Sequence, residues 1–128
     1  MVIDDTYNAN PDSMKAAIRV LAAQAGRRVM VMGDMGELGD AAPSLHAEVG
    51  AFARESGIDA FIALGPLSGH AAGAFGAGAR HFADIGEAIA AAREESLAGA
   101  TVLVKGSRAM RMERVADALA PGGSGHAA

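Results

Sequence analysis

The chain has 128 residues, room for one domain of ordinary size that buries roughly two thirds of the surface its unfolded form exposes. Hydrophobic residues make up 51%, a figure raised by alanine, while aromatics are 4% and Trp is absent, so the core has to be aliphatic and closely spaced. A net charge of -4 with 20% charged residues, 17 Gly and 4 Pro excludes a disordered or collagen-like chain. The acidic balance, with a pI near 5.5 and no basic stripe, argues against a nucleic-acid partner. The absence of Cys removes disulfides, cysteine nucleophiles and thiolate metal sites together. No apolar run approaches the roughly 18 residues of a membrane span, and the first residues lack a signal-peptide pattern, so no membrane partner and a cytoplasmic location are the expectation.

In chain order, short aliphatic runs alternate with Ala-rich helical stretches separated by Gly, Pro, Asn or Asp. Met1 to Asp4 reads as a strand. A helix follows from Pro11 to about Ala25, with Asn10 as N-cap, Pro11 in the first helical position and Gly26 beyond its end. Arg28 to Met32 is a nearly uninterrupted apolar run, the pattern of a strand covered on both faces. Next come a helix from Pro43 to Ser56, a strand from Ala60 to Leu64, and a Gly-diluted helix from Leu67 to Ala77. Arg80 to Ala83 is a short strand, and Asp84 with Glu87 forms a capping-box pattern opening a helix to Leu97. Thr101 to Lys105 is the last strand and Met110 to Ala120 a closing helix. Pro121 ends that helix and divides residues 1–120, the domain, from 121–128, read as a flexible tail. This alternation predicts an α/β domain with a doubly wound, mostly parallel sheet of about five or six strands and helices on both faces.

In such sheets ligands sit beyond the carboxyl ends of the strands, and three strand-to-helix loops are dense in functional side chains. The first, Asp4 to Asn10, offers carboxylates that can accept from ribose hydroxyls, the Tyr7 ring for stacking, and the amides of Asn8 and Asn10 for a base edge. Against this, Asn10 also reads as a simple N-cap, Asn8 as a turn residue and Asp4 as a solvated side chain. The second loop, Gly33 to Gly39, carries Asp34 and Glu37 among glycines that permit close backbone approach, a pair able to receive an ammonium group or help remove its proton. Solvated acids are the competing reading there. The third loop places Lys105, Ser107 and Arg108 where an anion would meet a helix start. Arg108, Arg111 and Arg114 fall on one face of the predicted closing helix, and ion pairs with Glu113, Asp117 or nearby helices are expected for Arg111 and Arg114. The connections at the opposite sheet edge, such as Gly26-Arg27 and Gly57-Ile58-Asp59, are plain by comparison.

Other signatures are missing. There is no G-x-x-x-x-G-K-[ST] to cradle triphosphate, no G-x-G-x-x-G after the first strand, and no H-E-x-x-H or G-x-S-x-G. His46, His70, His81 and His126 show no ligand spacing, so each reads as a surface or helix-packing residue and no metal site is expected.

Four motifs in order, VIDDTYNANPDSM (Val2 to Met14), VMGDMGELG (Val31 to Gly39), LHAEVG (Leu45 to Gly50) and VLVKGSRAMRME (Val102 to Glu113), together resemble the C-terminal domain of the Mur ligase family, in its D-alanyl-D-alanine-adding branch. The resemblance implies a Rossmann-like domain of an ATP-dependent amide ligase of peptidoglycan synthesis. ATP and Mg2+ would serve the full-length enzyme, with none held tightly by this fragment. D-Ala-D-Ala and UDP-N-acetylmuramoyl-tripeptide would be the substrates. It also implies N-terminal and central domains as partners, Met1 as a cloning start, and a fragment inactive by itself because the central domain carries the phosphate-binding loop. On matching positions, Asp5, Tyr7, Asn8 and Asn10 would face the nucleotide, and Asp34, Glu37, Lys105, Ser107 and Arg108 the dipeptide and acyl phosphate. Two other readings stand beside it. One is the equivalent domain of a folylpolyglutamate synthase-like ligase, whose first loop would carry a His absent here. The other is a nucleotide- or peptide-binding module without chemistry.

Overall fold

In the computed structural model, which describes residues 1–120, strand and helix alternate from end to end. The elements are β1 (Val2–Asp5), α1 (Pro11–Ala22), β2 (Arg28–Gly33), α2 (Ala42–Glu55), β3 (Ala60–Leu64), α3 (Ser68–Phe75), β4 (Ala79–Phe82), α4 (Ile85–Leu97), β5 (Thr101–Lys105) and α5 (Glu113–Leu119). Short 3₁₀ turns cover Gly39–Ala41 and Arg108–Met110. The predicted tail, 121–128, lies outside the described residues.

Helix ends follow their local chemistry. Asn10 caps α1 by accepting from Ser13 N at 2.8 Å, and Ser13 Oγ accepts from Asn10 N at 3.0 Å, a reciprocal box. Asp84 caps α4 by accepting from Glu87 N at 3.1 Å. Helix α1 stops at Ala22, short of Ala25, and the Arg28 guanidinium donates to Ala22 O at 2.7 Å, satisfying a terminal carbonyl from another element. The closing helix differs most. Arg111 is left-handed, with φ 53°, so the run from 110 does not continue as one helix; α5 starts at Glu113 behind a 3₁₀ turn. Arg108, Arg111 and Arg114 therefore do not share a helical face.

The five strands form one parallel sheet in the order β1-β5-β2-β3-β4, with β5 between β1 and β2. Asp5 pairs with Lys105, and Lys105 with Met32, in register. Alternation in β2, β3 and β5 divides the core. Met30, Met32, Phe61, Ala63 and Leu103 point to the face covered by α1, α2 and α3. Val29, Val31, Ile62, Val102 and Val104 point to the face covered by α4 and α5. Alanines on the helices let both layers approach closely, which reconciles an aliphatic core with few aromatics. Among the described residues no helix is long and apolar enough to cross a membrane.

Candidate functional site

Because β1, β5 and β2 are neighbours and parallel, the loops that follow them open on one edge, side by side. The chain leaves β1 and β2 toward the α1–α3 layer and β5 toward the α4–α5 layer, so the backbone diverges on both sides of β5 and opens a crevice there.

On the β1 side, Lys105 is the organising residue. Its side chain is 3% exposed; Nζ lies 3.1 Å from Asp5 Oδ2 and donates to Asn8 O at 2.7 Å. A buried ammonium needs such partners, and here they tie the end of β5 to the loop after β1. Lys105 thus sits with Asp5, Tyr7 and Asn8 around a cleft of about 370 Å³, whose other wall is the apolar surface of Ala16, Ala17 and Val20 on α1. Asn10 is exposed with its side-chain oxygen engaged in the α1 cap. Asp4 is exposed and accepts from Thr6 Oγ1 at 2.8 Å.

On the β2 side, the Gly33–Gly39 loop is anchored at successive residues. The Asp34 carboxylate, 8% exposed, accepts from Leu67 N at 3.2 Å, Ser68 N at 2.8 Å and Ser68 Oγ at 2.7 Å, so it caps the start of α3. Gly65 makes room for it: a Cβ there would stand 2.6 Å from Asp34 Oδ1. Asp34 O accepts from Ser107 N at 2.9 Å, coupling the loops after β2 and β5. Met35 N donates to His46 Nε2 at 3.0 Å, and His46 Nδ1 lies 2.7 Å from Ala42 O. Met112 fills the space against Gly33 and Gly106, where added Cβ atoms would meet it at 2.7 and 2.6 Å.

Between these anchored walls stands Arg108, exposed, its guanidinium 5.0 Å from the Tyr7 ring centroid, a cation–π pair. It borders two clefts: one of about 410 Å³ with Thr6, Tyr7, Arg111 and Glu113, and one of about 580 Å³ with Asn8, Gly36, Glu37, Ser107 and Ala109. Glu37, φ 60°, and Arg111, φ 53°, are left-handed non-glycine residues, and each lines one of these clefts.

Seven of the nine sequence-selected residues therefore line connected clefts at one edge: Asp5, Tyr7, Asn8 and Lys105 in one, Asn8, Glu37, Ser107 and Arg108 in another. Asp34 and Asn10 are engaged in helix capping. The ion pairs expected for Arg111 and Arg114 do not form among the described residues; Arg114 instead donates to Arg111 O and Met110 O, both at 2.9 Å, because the left-handed turn brings those carbonyls within reach. The four histidines also separate. His46 is fully buried behind the site, His81 contacts Gly65 O at 2.6 Å, His70 is exposed, and His126 lies outside the described residues. The signal for His46 was its place on the buried stripe His46, Val49, Gly50, Ala53 of α2, where one polar residue interrupts an apolar face.

The residues suit a nucleoside and an acid or zwitterion: a carboxylate, an exposed ring and an apolar wall in one cleft, a guanidinium and a carboxylate in the next. Among the described residues no group of three His, Asp or Glu is placed to hold a metal ion by protein ligands alone; Mg2+ at a nucleotide ordinarily takes one or two carboxylates together with phosphate oxygens and water.

A doubly wound parallel sheet with loaded loops at one strand edge defines an α/β domain of the ligand-binding class. Residues 1–108 match the family model for the Mur ligase, glutamate ligase domain, and the chain belongs to that family. It is 42% identical over 128 residues to the UDP-N-acetylmuramoyl-tripeptide--D-alanyl-D-alanine ligase of Escherichia coli K12, covering 97% of this chain and 28% of that protein. The Bacillus subtilis protein of the same name is 36% identical over 126 residues, covering 89% and 26%. Among solved structures, MurF from Acinetobacter baumannii superimposes with a TM-score of 0.84 at 38% identity, over 94% of this chain and 28% of that one. The MurF ligase of Thermotoga maritima in complex with ADP gives 0.80 at 27% identity, over 92% and 27%. The chain thus spans little more than a quarter of the length of these relatives.

Proposed function

We propose that this chain is the ATP- and dipeptide-facing C-terminal part of a ligase that joins D-Ala-D-Ala to UDP-N-acetylmuramoyl-tripeptide in peptidoglycan synthesis. The supporting observation is the conjunction of two facts: similarity to ligases of that name along nearly the whole chain, and the concentration of its charged loop residues at one sheet edge. ATP supplies phosphoryl activation of the tripeptide carboxylate; the dipeptide amine then forms the amide bond as phosphate leaves.

In this reading Asp5 receives ribose hydroxyls while Lys105 holds its carboxylate in place, and Tyr7 and Asn8 border the same cleft. Asn10 serves the cleft through the α1 cap. Arg108 takes the dipeptide carboxylate and Glu37 its ammonium, which a zwitterion requires of any site that orients it. Ser107 contributes its N–H to the loop tie and its hydroxyl to the cleft wall. Asp34 acts through the loop it braces. Mg2+ belongs with the remainder of the ligase. Residues 1–120 fold as one domain, and the isolated chain is inactive, because catalysis of this kind needs closure against a second wall that excludes water. The long similarity to D-Ala-D-Ala-adding ligases favours this reading over a folylpolyglutamate synthase-like or a non-catalytic one.

The test is D-Ala-D-Ala-dependent ADP release by the longer ligase containing this segment and by the 128-residue chain alone. Turnover is expected only from the longer protein, and Arg108→Ala should raise the dipeptide KM or lower kcat by about tenfold or more. No dipeptide-dependent turnover from the longer protein would end the reading. Unchanged kinetics in the variant would remove Arg108 from the site.

A further inference from the structure

The Gly33–Gly39 loop carries Glu37 to the cleft shared with Arg108; at its tip Gly36, Glu37 and Gly39 are exposed, and only Leu38 turns back, half-buried, against the core. Its restraint comes from below. Asp34 is fixed by α3 and Met35 by His46. His46 is 0% exposed, and its two nitrogens have different partners. Ala42 O can only accept, so Nδ1 carries the proton; Met35 N can only donate, so Nε2 presents its lone pair. The imidazole is thereby neutral and in a single tautomer, with one nitrogen joined to the first turn of α2 and the other to the loop. Met35 itself is 2% exposed, so its N–H has no recourse to solvent if the ring is lost. Two residues on, the backbone turns left-handed at Glu37 rather than at a neighbouring glycine, which puts a carboxylate at the position where a strained turn faces the cleft.

We infer that His46 is a positioning residue: as a neutral acceptor for Met35 N–H it sets the loop that presents Glu37 opposite Arg108, and so governs capture of the incoming zwitterionic amine without touching it. The inference rests on the reading of this edge as the dipeptide side of a ligase, and it adds a residue that none of the cleft linings includes.

Two substitutions separate its bonds. His46→Gln keeps an acceptor near the place of Nε2, whereas His46→Asn keeps a donor near the place of Nδ1 and loses the tie to Met35. In the longer ligase, His46→Asn is expected to raise the KM for D-Ala-D-Ala about tenfold while leaving that for ATP within about twofold, and His46→Gln to restore the dipeptide KM. A dipeptide KM unchanged in His46→Asn, equal losses in both variants, or parallel rises in both KM values would overturn the inference. Absence of dipeptide-dependent turnover in the wild-type ligase would instead overturn the functional reading on which it rests. Amide exchange of the wild-type 128-residue chain gives a test independent of variant folding. The Met35 amide should exchange at least about a hundredfold more slowly than those of Gly36 and Glu37; a Met35 amide as fast as its neighbours would show that His46 does not hold the loop.

Discussion

Asp34 illustrates what a residue's identity can and cannot announce. A carboxylate between glycines after a strand is readable as a functional acid, and it is placed at the predicted edge. Its partners, Leu67 N and Ser68, are 33 and 34 positions away, and no local pattern connects them. Arg27 and Glu95 behave similarly at the opposite edge, 68 positions apart, in a two-point pair at 2.7 and 3.1 Å. The hydrogen bond from Arg27 holds the Glu95 carboxyl below the usual glutamate range, against a smaller opposing effect of burial. A carboxyl depressed in the folded state contributes stability above its unfolded-state value, near 4.3, and loses it as pH falls through the lower folded value. Glu95→Gln is therefore expected to cost a few tenths to about 1 kcal/mol at pH 7, because Arg27 is half exposed and solvent screens the pair. The cost should vanish in acid below that window. Urea titrations of both proteins across pH 2 to 7 check this; a difference independent of pH would exclude the ion pair as its source.

At the scale of elements, helix ends capped by their own neighbours were legible, and ends set by distant or left-handed residues were not. The α1 and α4 caps are encoded within four residues and the capping residues are those the sequence suggests, although at α4 only Asp84 bonds and the Glu87 side chain does not complete the expected box. At the end of α1 a terminal carbonyl is satisfied by Arg28 reaching back from β2, and α5 starts behind a left-handed Arg111, a conformation that composition does not signal. Helix packing is also silent in sequence. Gly50 sits in mid-α2, where it weakens the intrinsic helix, yet a Cβ there would stand 2.0 Å from Ala71 O on α3. The glycine is there for contact between backbones. Gly50→Ala should destabilise the chain by about 3 kcal/mol or more despite alanine's better helix propensity, read as a lower urea midpoint with an unchanged slope. A neutral or stabilising result would mean that α2 and α3 separate at little cost.

For the molecule as a whole, both core layers pack on the same strands, so neither can be lost while the sheet keeps its covered faces. The 1–120 unit should unfold in one step, with calorimetric and van't Hoff enthalpies in agreement; a van't Hoff value well below the calorimetric one would divide it. The sequence alone determined the alternating elements, the doubly wound class, and the three loops that carry chemistry, because hydrophobic period, caps and glycines are local signals and each loop is contiguous. Only the tertiary structure decided that β5 lies between β1 and β2, which makes three separate loops adjacent. It alone directed Lys105 to Asp5 and Asn8, engaged Asp34 in capping α3, and set His46 beneath the loop that carries Glu37. The physical reason is common to these cases: a buried charge or polar group takes whichever partner the packed chain brings within hydrogen-bond reach, and separation along the chain does not determine that distance.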